Sequence, residues 1–175
     1  GVHSARIPGA DLWLEVISCA SKQKRILNVA LIGGLPGVAE QVKSKLMTPP
    51  FNVNIVLVKD GYREVKDADL LADLLIKTRP NFVLVAMGSP RQEVLISALR
   101  SKYDKAYYLG LGGSFDVFTG RVKRAPLWMQ NSGLEWLHRL FVDPWRIFRQ
   151  LKFIKFVYLL VLGKLGAGSS SKCNS

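Results

Sequence analysis

Four short runs of apolar, largely β-branched residues alternate along the chain with segments of helical periodicity. The runs occupy residues 26–32, 53–58, 82–87 and 107–111. Strands that are apolar at nearly every position are typical of a parallel sheet covered by helices on both faces. The pattern therefore predicts a Rossmann-like α/β fold in which most strands run parallel.

The segments between the runs carry apolar residues three or four positions apart, as amphipathic helices do. These segments are residues 36–47, 66–78 and 90–101, and a further amphipathic segment, residues 11–20, precedes the first strand. Because the alternation continues as far as Gly120, residues 1–120 are predicted to form one α/β core.

After Gly120 the alternation ends and the chain becomes helical and basic. A helix is expected from residue 124 to about residue 141, and Asp143 followed by Pro144 has the form of the next helix start. Residues 121–165 are therefore predicted to form a C-terminal helical, basic appendage. The Gly/Ser-rich residues 166–175 are predicted to be disordered.

The positive charge is concentrated in this C-terminal third. The chain carries a net charge of +12, and from Arg121 onward ten Lys/Arg face only two acidic residues. This asymmetry indicates an anionic partner such as membrane lipid, pyrophosphate or nucleic acid, although a merely solvated basic face remains an alternative. Basic residues opposite an apolar stripe that includes Ile147 and Leu151 fit a helix lying in a membrane interface. Docking of this helix on its own domain or on a second subunit is the alternative.

Nothing in the hydropathy predicts a membrane-crossing segment. The longest apolar run, residues 156–162, is far shorter than the roughly 20 residues that span a bilayer. Residues 1–20 lack the pattern of a signal peptide. The two cysteines, Cys19 and Cys173, match no metal or disulfide spacing and suit a reducing cytoplasm.

Each predicted strand runs into a loop that contains glycine. The loops are residues 33–37, 60–62, 88–90 and 110–113. Ligands of open α/β sheets bind beyond the carboxyl ends of the strands, where glycine allows close approach and helix N-termini favour anions. The sequence therefore predicts a ligand-binding rim at this edge, with ordinary turn formation as the alternative.

Three polar stretches follow these loops in a distinctive order. They are residues 88–93, residues 112–116 with the basic residues just after them, and residues 133–139 followed by Arg146 and Arg149. Together with residues 6–12, they resemble the WecG/TagA/CpsF family of glycosyltransferases over most of the chain.

The resemblance implies a Rossmann-like fold and a role in building teichoic acids, enterobacterial common antigen or capsules. It implies transfer of N-acetylmannosamine, or a related sugar, from UDP to N-acetylglucosamine on an undecaprenyl diphosphate lipid. It also implies inversion at the anomeric carbon, no metal and no cofactor. The expected location is the cytoplasm, with peripheral association at the anionic inner face of the cell membrane.

By the same resemblance, Gln92 is expected beside the donor sugar and its leaving phosphate. Arg139, Arg146 and Arg149 are expected to fold over the site and hold diphosphate, and with Gln92 they form the predicted catalytic set. The resemblance and the glycine loops together give the predicted substrate-binding set. Its members are Arg6, Gly33, Gly34, Tyr62, Gly88, Ser89, Pro90, Glu93, Gly113, Phe115 and Asp116.

Two of these residues are expected to contact uridine, and both have simpler readings. The Tyr62 ring could stack on the base, or it could be an exposed loop aromatic. The Asp116 carboxylate could accept from uracil N–H or a ribose hydroxyl, or it could cap the turn after the fourth strand.

The sequence departs from the family pattern at its beginning. The family places its proposed base, an aspartate, in an Asp-Gly segment upstream of the Arg6 motif, and that segment is not in this sequence. We therefore expect a fragment of an active enzyme whose base is supplied upstream. A truncated relative without independent activity is the alternative.

Two other functions are weaker predictions. A dinucleotide-binding unit would explain the glycines after the first strand and Asp60 after the second, but residues 33–37 do not satisfy G-x-G-x-x-G. A basic membrane- or nucleic-acid-binding module would explain the charge but not the Gln92 and Asp116 loops. The predicted partners are thus the UDP-amino sugar, the lipid-linked acceptor and the membrane surface, without nucleic acid; a homo-oligomer is left open.

Overall fold

The four apolar runs form four strands in a computed structural model of the chain. They are β1 (Leu27–Gly33), β2 (Val53–Lys59), β3 (Phe82–Ala86) and β4 (Tyr107–Gly110). All neighbouring strands are parallel, in the order β2-β1-β3-β4. Every residue of β3 is buried, as a central strand covered on both faces should be. The predicted parallel α/β sheet is confirmed.

Five helices accompany the sheet in the part of the chain that the structure describes. Four of them lie within a few residues of the predicted segments, whereas the short α5 was not predicted. In chain order the helices are α1 (Gly9–Lys22), α2 (Val38–Leu46), α3 (Ala68–Thr78), α4 (Arg91–Arg100) and α5 (Ser114–Thr119).

The structure describes residues 9–61 and 67–126, together with Met129 and Ser132. The chain divides into two compact units, Gly1–Lys123 and Arg124–Ser175. The predicted basic appendage and tail therefore lie largely outside the described residues, and their boundaries stay predictions. Within the described part of the chain, no helix is both long enough and apolar enough to cross a membrane.

One face of the sheet is covered by α1, α2 and α5. Trp13 of α1 is fully buried and packs its ring against two rings of α5, with centroids 5.9 Å from Phe115 and 5.1 Å from Phe118. These three aromatic residues fasten the beginning and the end of the α/β core to each other. The other buried residues of this cluster are Ile17, Val29, Leu31, Val38, Ala39, Val42, Leu46, Phe82, Leu84, Ala86 and Leu111.

The opposite face is covered by α3 and α4. Helix α3 begins where the Asp67 carboxylate accepts hydrogen bonds from the N–H groups of Asp69 (2.8 Å) and Leu70 (3.3 Å), which is ordinary N-capping. The Tyr103 hydroxyl donates to the Pro80 carbonyl at 3.0 Å and joins the ends of the two helices. The buried residues of this face are Ala30, Ile32, Leu71, Ala72, Leu75, Val83, Val85, Leu95, Leu99 and Tyr103.

The strand order reverses between β1 and β3. The connection through α2 leads from β1 to β2 at one edge, whereas the connection through α4 leads from β3 to β4 at the other. Helices α2 and α4 also lie on opposite faces. Loops that leave neighbouring strands in opposite directions open a crevice at their carboxyl ends, where ligands of this fold class bind. The point where the strand order reverses, called the topological switch point, thus lies at Gly33 and Ala86.

Candidate functional site

The carboxyl ends of β1, β2 and β3 meet through backbone contacts. The Gly34 N–H donates to the Ala86 carbonyl at 2.7 Å, and the Gly61 N–H donates to the Gly34 carbonyl at 3.1 Å. Gly33 has φ +120°, and a Cβ at this position would collide with the Ala86 carbonyl. Only glycine fits there, so at the switch point a ligand would meet backbone atoms of this loop rather than a side chain. We call these strand ends, with the loops after β3 and β4, the rim.

The Gln92 side chain holds Gly112, in the loop after β4. The Gln92 Oε1 accepts from the Gly112 N–H at 2.7 Å, and Nε2 donates to the Glu93 carboxylate at 2.9 Å. Gln92 is only 8% exposed, and a Cβ on Gly110 would lie 2.7 Å from its Nε2. Both polar atoms of this buried amide are therefore engaged, as buried polar groups normally are. Gln92 joins the first turn of α4 to the β4–α5 loop.

The start of α4 lies at the end of β3. The Gln92 N–H donates to the Gly88 carbonyl at 3.0 Å, and Pro90, at the N-cap position, supplies no side-chain cap. Ser89 and Pro90 are exposed. The N-terminal end of a helix carries partial positive charge, so an anion in front of these residues would be stabilised.

Helix α5 places one predicted site residue in the core and another at the surface. Phe115 is fully buried against Trp13, with its ring also facing Gly34. The Asp116 carboxylate is partly exposed and lies 3.9 Å from the Arg121 Nε. Phe115 thus supports the rim by packing, while Asp116 presents a hydrogen-bond acceptor on the first turn of α5.

Lys45 of α2 fixes the far end of α5. Its ammonium donates to the carbonyls of Phe118 (2.9 Å) and Thr119 (3.2 Å) and lies 5.6 Å from the centre of the Phe118 ring. A cation favours the negative end of a helix and satisfies carbonyls that lack helical partners. Sequence reasoning missed this contact, since no local pattern links α2 to a helix some seventy residues later.

Two ionisable groups on the α3–α4 side have displaced pKa values. The pKa of Lys102 is raised, chiefly by its hydrogen bond to Asp69 at 2.7 Å, where the ammonium remains at the surface. Burial, followed by the charges around it, raises the pKa of Tyr108 to about 12, and its hydroxyl donates to the Tyr103 carbonyl at 2.6 Å. Both contacts join structural elements, and we assign no role in proton transfer to Lys102 or Tyr108. In the described residues no group of His, Cys, Asp and Glu could hold a metal ion.

The structure brings most of the described predicted site residues to the rim. Glu93 adjoins the rim through its bond to Gln92 and also lines a surface depression along α4 together with Ser97 and Arg100. Gly61, which was not among the predicted site residues, lies at the centre of the rim; its position directly after β2 was the available signal. The predicted residues at the rim are Gly33, Gly34, Gly88, Ser89, Pro90, Gln92, Gly113, Phe115 and Asp116.

Five predicted site residues, Arg6, Tyr62, Arg139, Arg146 and Arg149, lie outside the described residues. Their roles, like those of the rim residues, stay predictions.

A comparison with known protein families agrees with this architecture. The model of the family described as "Glycosyl transferase WecG/TagA/CpsF family" matches residues 1–170 of the 175-residue chain. The match includes every strand of the sheet, all the rim loops and most of the basic C-terminal segment. The chain therefore belongs to the WecG/TagA/CpsF family of glycosyltransferases.

Proposed function

We propose that the chain binds a UDP-linked N-acetylamino sugar, specifically N-acetylmannosamine, for transfer to a polyprenyl-diphosphate-linked N-acetylglucosamine. Membership of the family supports glycosyl transfer in general. The observation that carries the donor assignment is the rim itself. At the switch point, glycine backbone from three strands adjoins the uncapped start of α4, and Gln92 braces the loop beyond it.

In this proposal the diphosphate lies over the glycine loops and the start of α4. Glycine lets its oxygens approach backbone N–H groups, and the helix end contributes partial positive charge. The Asp116 carboxylate accepts from the uracil N–H or a ribose hydroxyl, and the Tyr62 ring stacks on or walls off the base. Gln92 then acts mainly by holding Gly112, with its amide at the border of the sugar site.

The chemistry proposed is a single displacement. The acceptor hydroxyl oxygen attacks the anomeric carbon, the bond from that carbon to the UDP oxygen breaks, and the hydroxyl proton passes to a base. The configuration inverts because the nucleophile enters opposite the leaving group. Arg139, Arg146 and Arg149 stabilise the negative charge that develops on UDP, so that no metal ion is needed in this scheme. No described carboxylate is assigned as the base.

The basic C-terminal third supports a peripheral location on an anionic membrane, where a polyprenyl-linked acceptor would be found. Its excess of eight positive charges over residues 121–175 suits attraction to acidic lipid headgroups. Polysaccharide or teichoic acid synthesis for the cell surface is the corresponding biological role. A basic membrane-binding module without transfer activity is the second candidate, favoured by the same charge.

Thermal unfolding with UDP or NAD distinguishes the donor proposal from a dinucleotide-binding function. UDP at a hundred times its Kd should stabilise the chain by about 2.7 kcal/mol, and NAD should leave the Tm unchanged. Asp116→Asn should weaken UDP binding by about tenfold, because it removes a charged acceptor. Stabilisation by NAD but not by UDP would contradict the proposal.

Transfer itself is tested with a version of the protein that carries the family's Asp-Gly segment upstream of Arg6, using radiolabelled UDP-sugar and a lipid-linked acceptor in liposomes. Arg139→Ala should abolish transfer while leaving sedimentation with anionic liposomes unchanged. Sedimentation should instead be lost when Arg146, Arg149, Lys152 and Lys155 are all changed to Glu. Liposome binding without any transfer by the version that carries the Asp-Gly segment would favour the binding-module candidate.

A further inference from the structure

Two consecutive residues in the first turn of α4 are joined by their side chains. The Gln92 Nε2 donates to the Glu93 carboxylate at 2.9 Å. Side chains of consecutive helical residues point about 100° apart, so they do not ordinarily face each other. Glu93 is exposed, whereas Gln92 is only 8% exposed. The Glu93 side chain therefore turns from the surface toward a mostly buried amide.

The charge of Glu93 is unfavourable for the anion proposed at this end of α4. A carboxylate in the first turn of a helix is itself stabilised by the helix end. It repels a second anion at the same place, however, because like charges repel at short range. Glu93 is thus a poor direct contact for a diphosphate in front of Ser89 and Pro90, and its bond to Gln92 is the contact that needs an explanation.

The partners of the Gln92 amide permit only one direction of its two ends. Oε1 accepts from the Gly112 N–H at 2.7 Å, while Nε2 donates to Glu93. If the amide were turned over, Nε2 would meet the Gly112 N–H, which is another donor. Oε1 would then meet the carboxylate, which only accepts when it is ionised. Glu93 and Gly112 therefore select the same orientation from opposite ends of the amide.

Gly110 makes room for the amide at the end of β4. A Cβ on Gly110 would lie 2.7 Å from the Gln92 Nε2 and 3.0 Å from its Cδ. Gly110 is a strand residue outside the left-handed region, so its backbone conformation does not call for glycine. Glycine is needed there because the amide of Gln92 occupies the space that a side chain would fill.

We infer that Glu93 is a positioning residue, which holds the Gln92 amide so that its second N–H hydrogen donates to an oxygen of the donor sugar. The role rests on the proposed function of the rim. An amide nitrogen carries two hydrogens, and the bond to Glu93 uses one of them. Within the described residues the second hydrogen has no acceptor, and a sugar oxygen supplies one. Glu93 then acts through Gln92 without touching the donor.

Calorimetric titration of the chain with UDP and with UDP-N-acetylmannosamine tests this role. Glu93→Ala removes the acceptor of Nε2 but leaves the bond from Gly112 to Oε1. Any effect of the lost charge on the diphosphate is common to both compounds, so the ratio of their Kd values isolates the sugar contact. That ratio should shift about tenfold against the UDP-sugar, as expected for one hydrogen bond. Glu93→Gln should restore the ratio, because a glutamine carbonyl also accepts from Nε2.

Gly110→Ala tests the orientation of the amide from its other side. The new Cβ displaces Nε2, so the same selective loss of UDP-sugar binding is expected without any change of charge. Glu40→Ala is the matched control, because Glu40 is an exposed acid in the first turn of α2. It should leave both Kd values unchanged. The Gly112 amide signal in NMR spectra should keep its position in Glu93→Ala, which shows that the variant retains its fold.

The possible failures have different meanings. An unchanged Kd ratio in Glu93→Ala or in Gly110→Ala would overturn the positioning role. An equal loss in Glu93→Gln and Glu93→Ala would overturn it as well, since the effect would then come from the charge. Binding of UDP by the unaltered chain would still support the donor site in these cases. Binding of neither compound by the unaltered chain would overturn the donor site and the role of Glu93 together.

Discussion

The rim contains two glycine loops that are fixed in different ways. The loop after β1 is fixed by backbone on backbone, since Gly34 bonds to Ala86 and Gly33 leaves no space for a side chain. In the loop after β4, Leu111 still bonds to the backbone of β3, but the next residue, Gly112, is fixed by a distant side chain, that of Gln92. The first arrangement depends on the sheet itself, whereas the position of Gly112 depends on an amide that substitution can remove.

Because of this difference, the two loops suit different parts of the proposed donor. A surface made of strand backbone suits the part of the donor that does not vary, the diphosphate. The position of Gly112 depends on which side chain occupies residue 92. This loop therefore suits contact with the sugar of the donor, the part that differs between UDP-sugars. The two loops should therefore respond differently to mutation.

The largest expected effect is at the backbone-held loop. Gly33→Ala introduces a Cβ against the Ala86 carbonyl at φ +120°, so β1 and β3 must separate at the switch point. We expect a loss of about 3 kcal/mol or more in the free energy of unfolding, measured with urea. Gly37→Ala is the control: its φ is +82° with no atom within 4 Å of the new Cβ, so only the backbone cost of about 1–2 kcal/mol applies. Equal losses for the two variants would contradict the role of close packing.

A smaller loss of stability, with a larger loss of binding, is expected at the side-chain-held loop. Gln92→Leu leaves the Gly112 N–H without its acceptor, which should cost about 1–3 kcal/mol in unfolding free energy. UDP affinity, measured by calorimetry, should fall by about tenfold as the loop moves. The same substitution at exposed Gln41 should change stability by less than about 0.5 kcal/mol. Unchanged UDP affinity in Gln92→Leu would show that this loop does not shape the site.

The smallest effect is expected where α2 supports α5 from behind the rim. Lys45→Met removes two exposed hydrogen bonds to the end of α5 and should cost about 0.5–1 kcal/mol in unfolding free energy. Lys43→Met is the matched control, because its exposed ion pair with Glu40 at 3.7 Å should contribute at most about 0.5 kcal/mol. A larger loss at Lys43 than at Lys45 would remove the capping role of Lys45.

The sheet was predictable from the sequence because its strands are buried on both faces. An apolar run such as residues 82–86 has few alternatives when helical segments flank it, so element type and order followed directly. Helix α5 was not predicted, because its six residues are too few to show a helical period. It also begins within a glycine-rich stretch.

The contacts within the site were less predictable. The sequence indicated that Gln92 belongs to the rim, but its bond to Gly112 depends on the distance between α4 and the β4 loop. Phe115 was predicted as a substrate contact, and the structure shows it packed against Trp13, about a hundred residues away in the chain. Such contacts between distant segments follow from packing rather than from local pattern.

We propose above that UDP lies on the rim, at the carboxyl ends of the strands. Titration of the ¹⁵N-labelled chain with UDP, followed by amide NMR, tests it directly. We expect the largest shifts at Gly34, Gly88, Gly112 and Gly113, with little change at Leu27 and Tyr107 on the opposite ends of the strands. Shifts concentrated at those opposite ends, or none at saturating UDP, would contradict it.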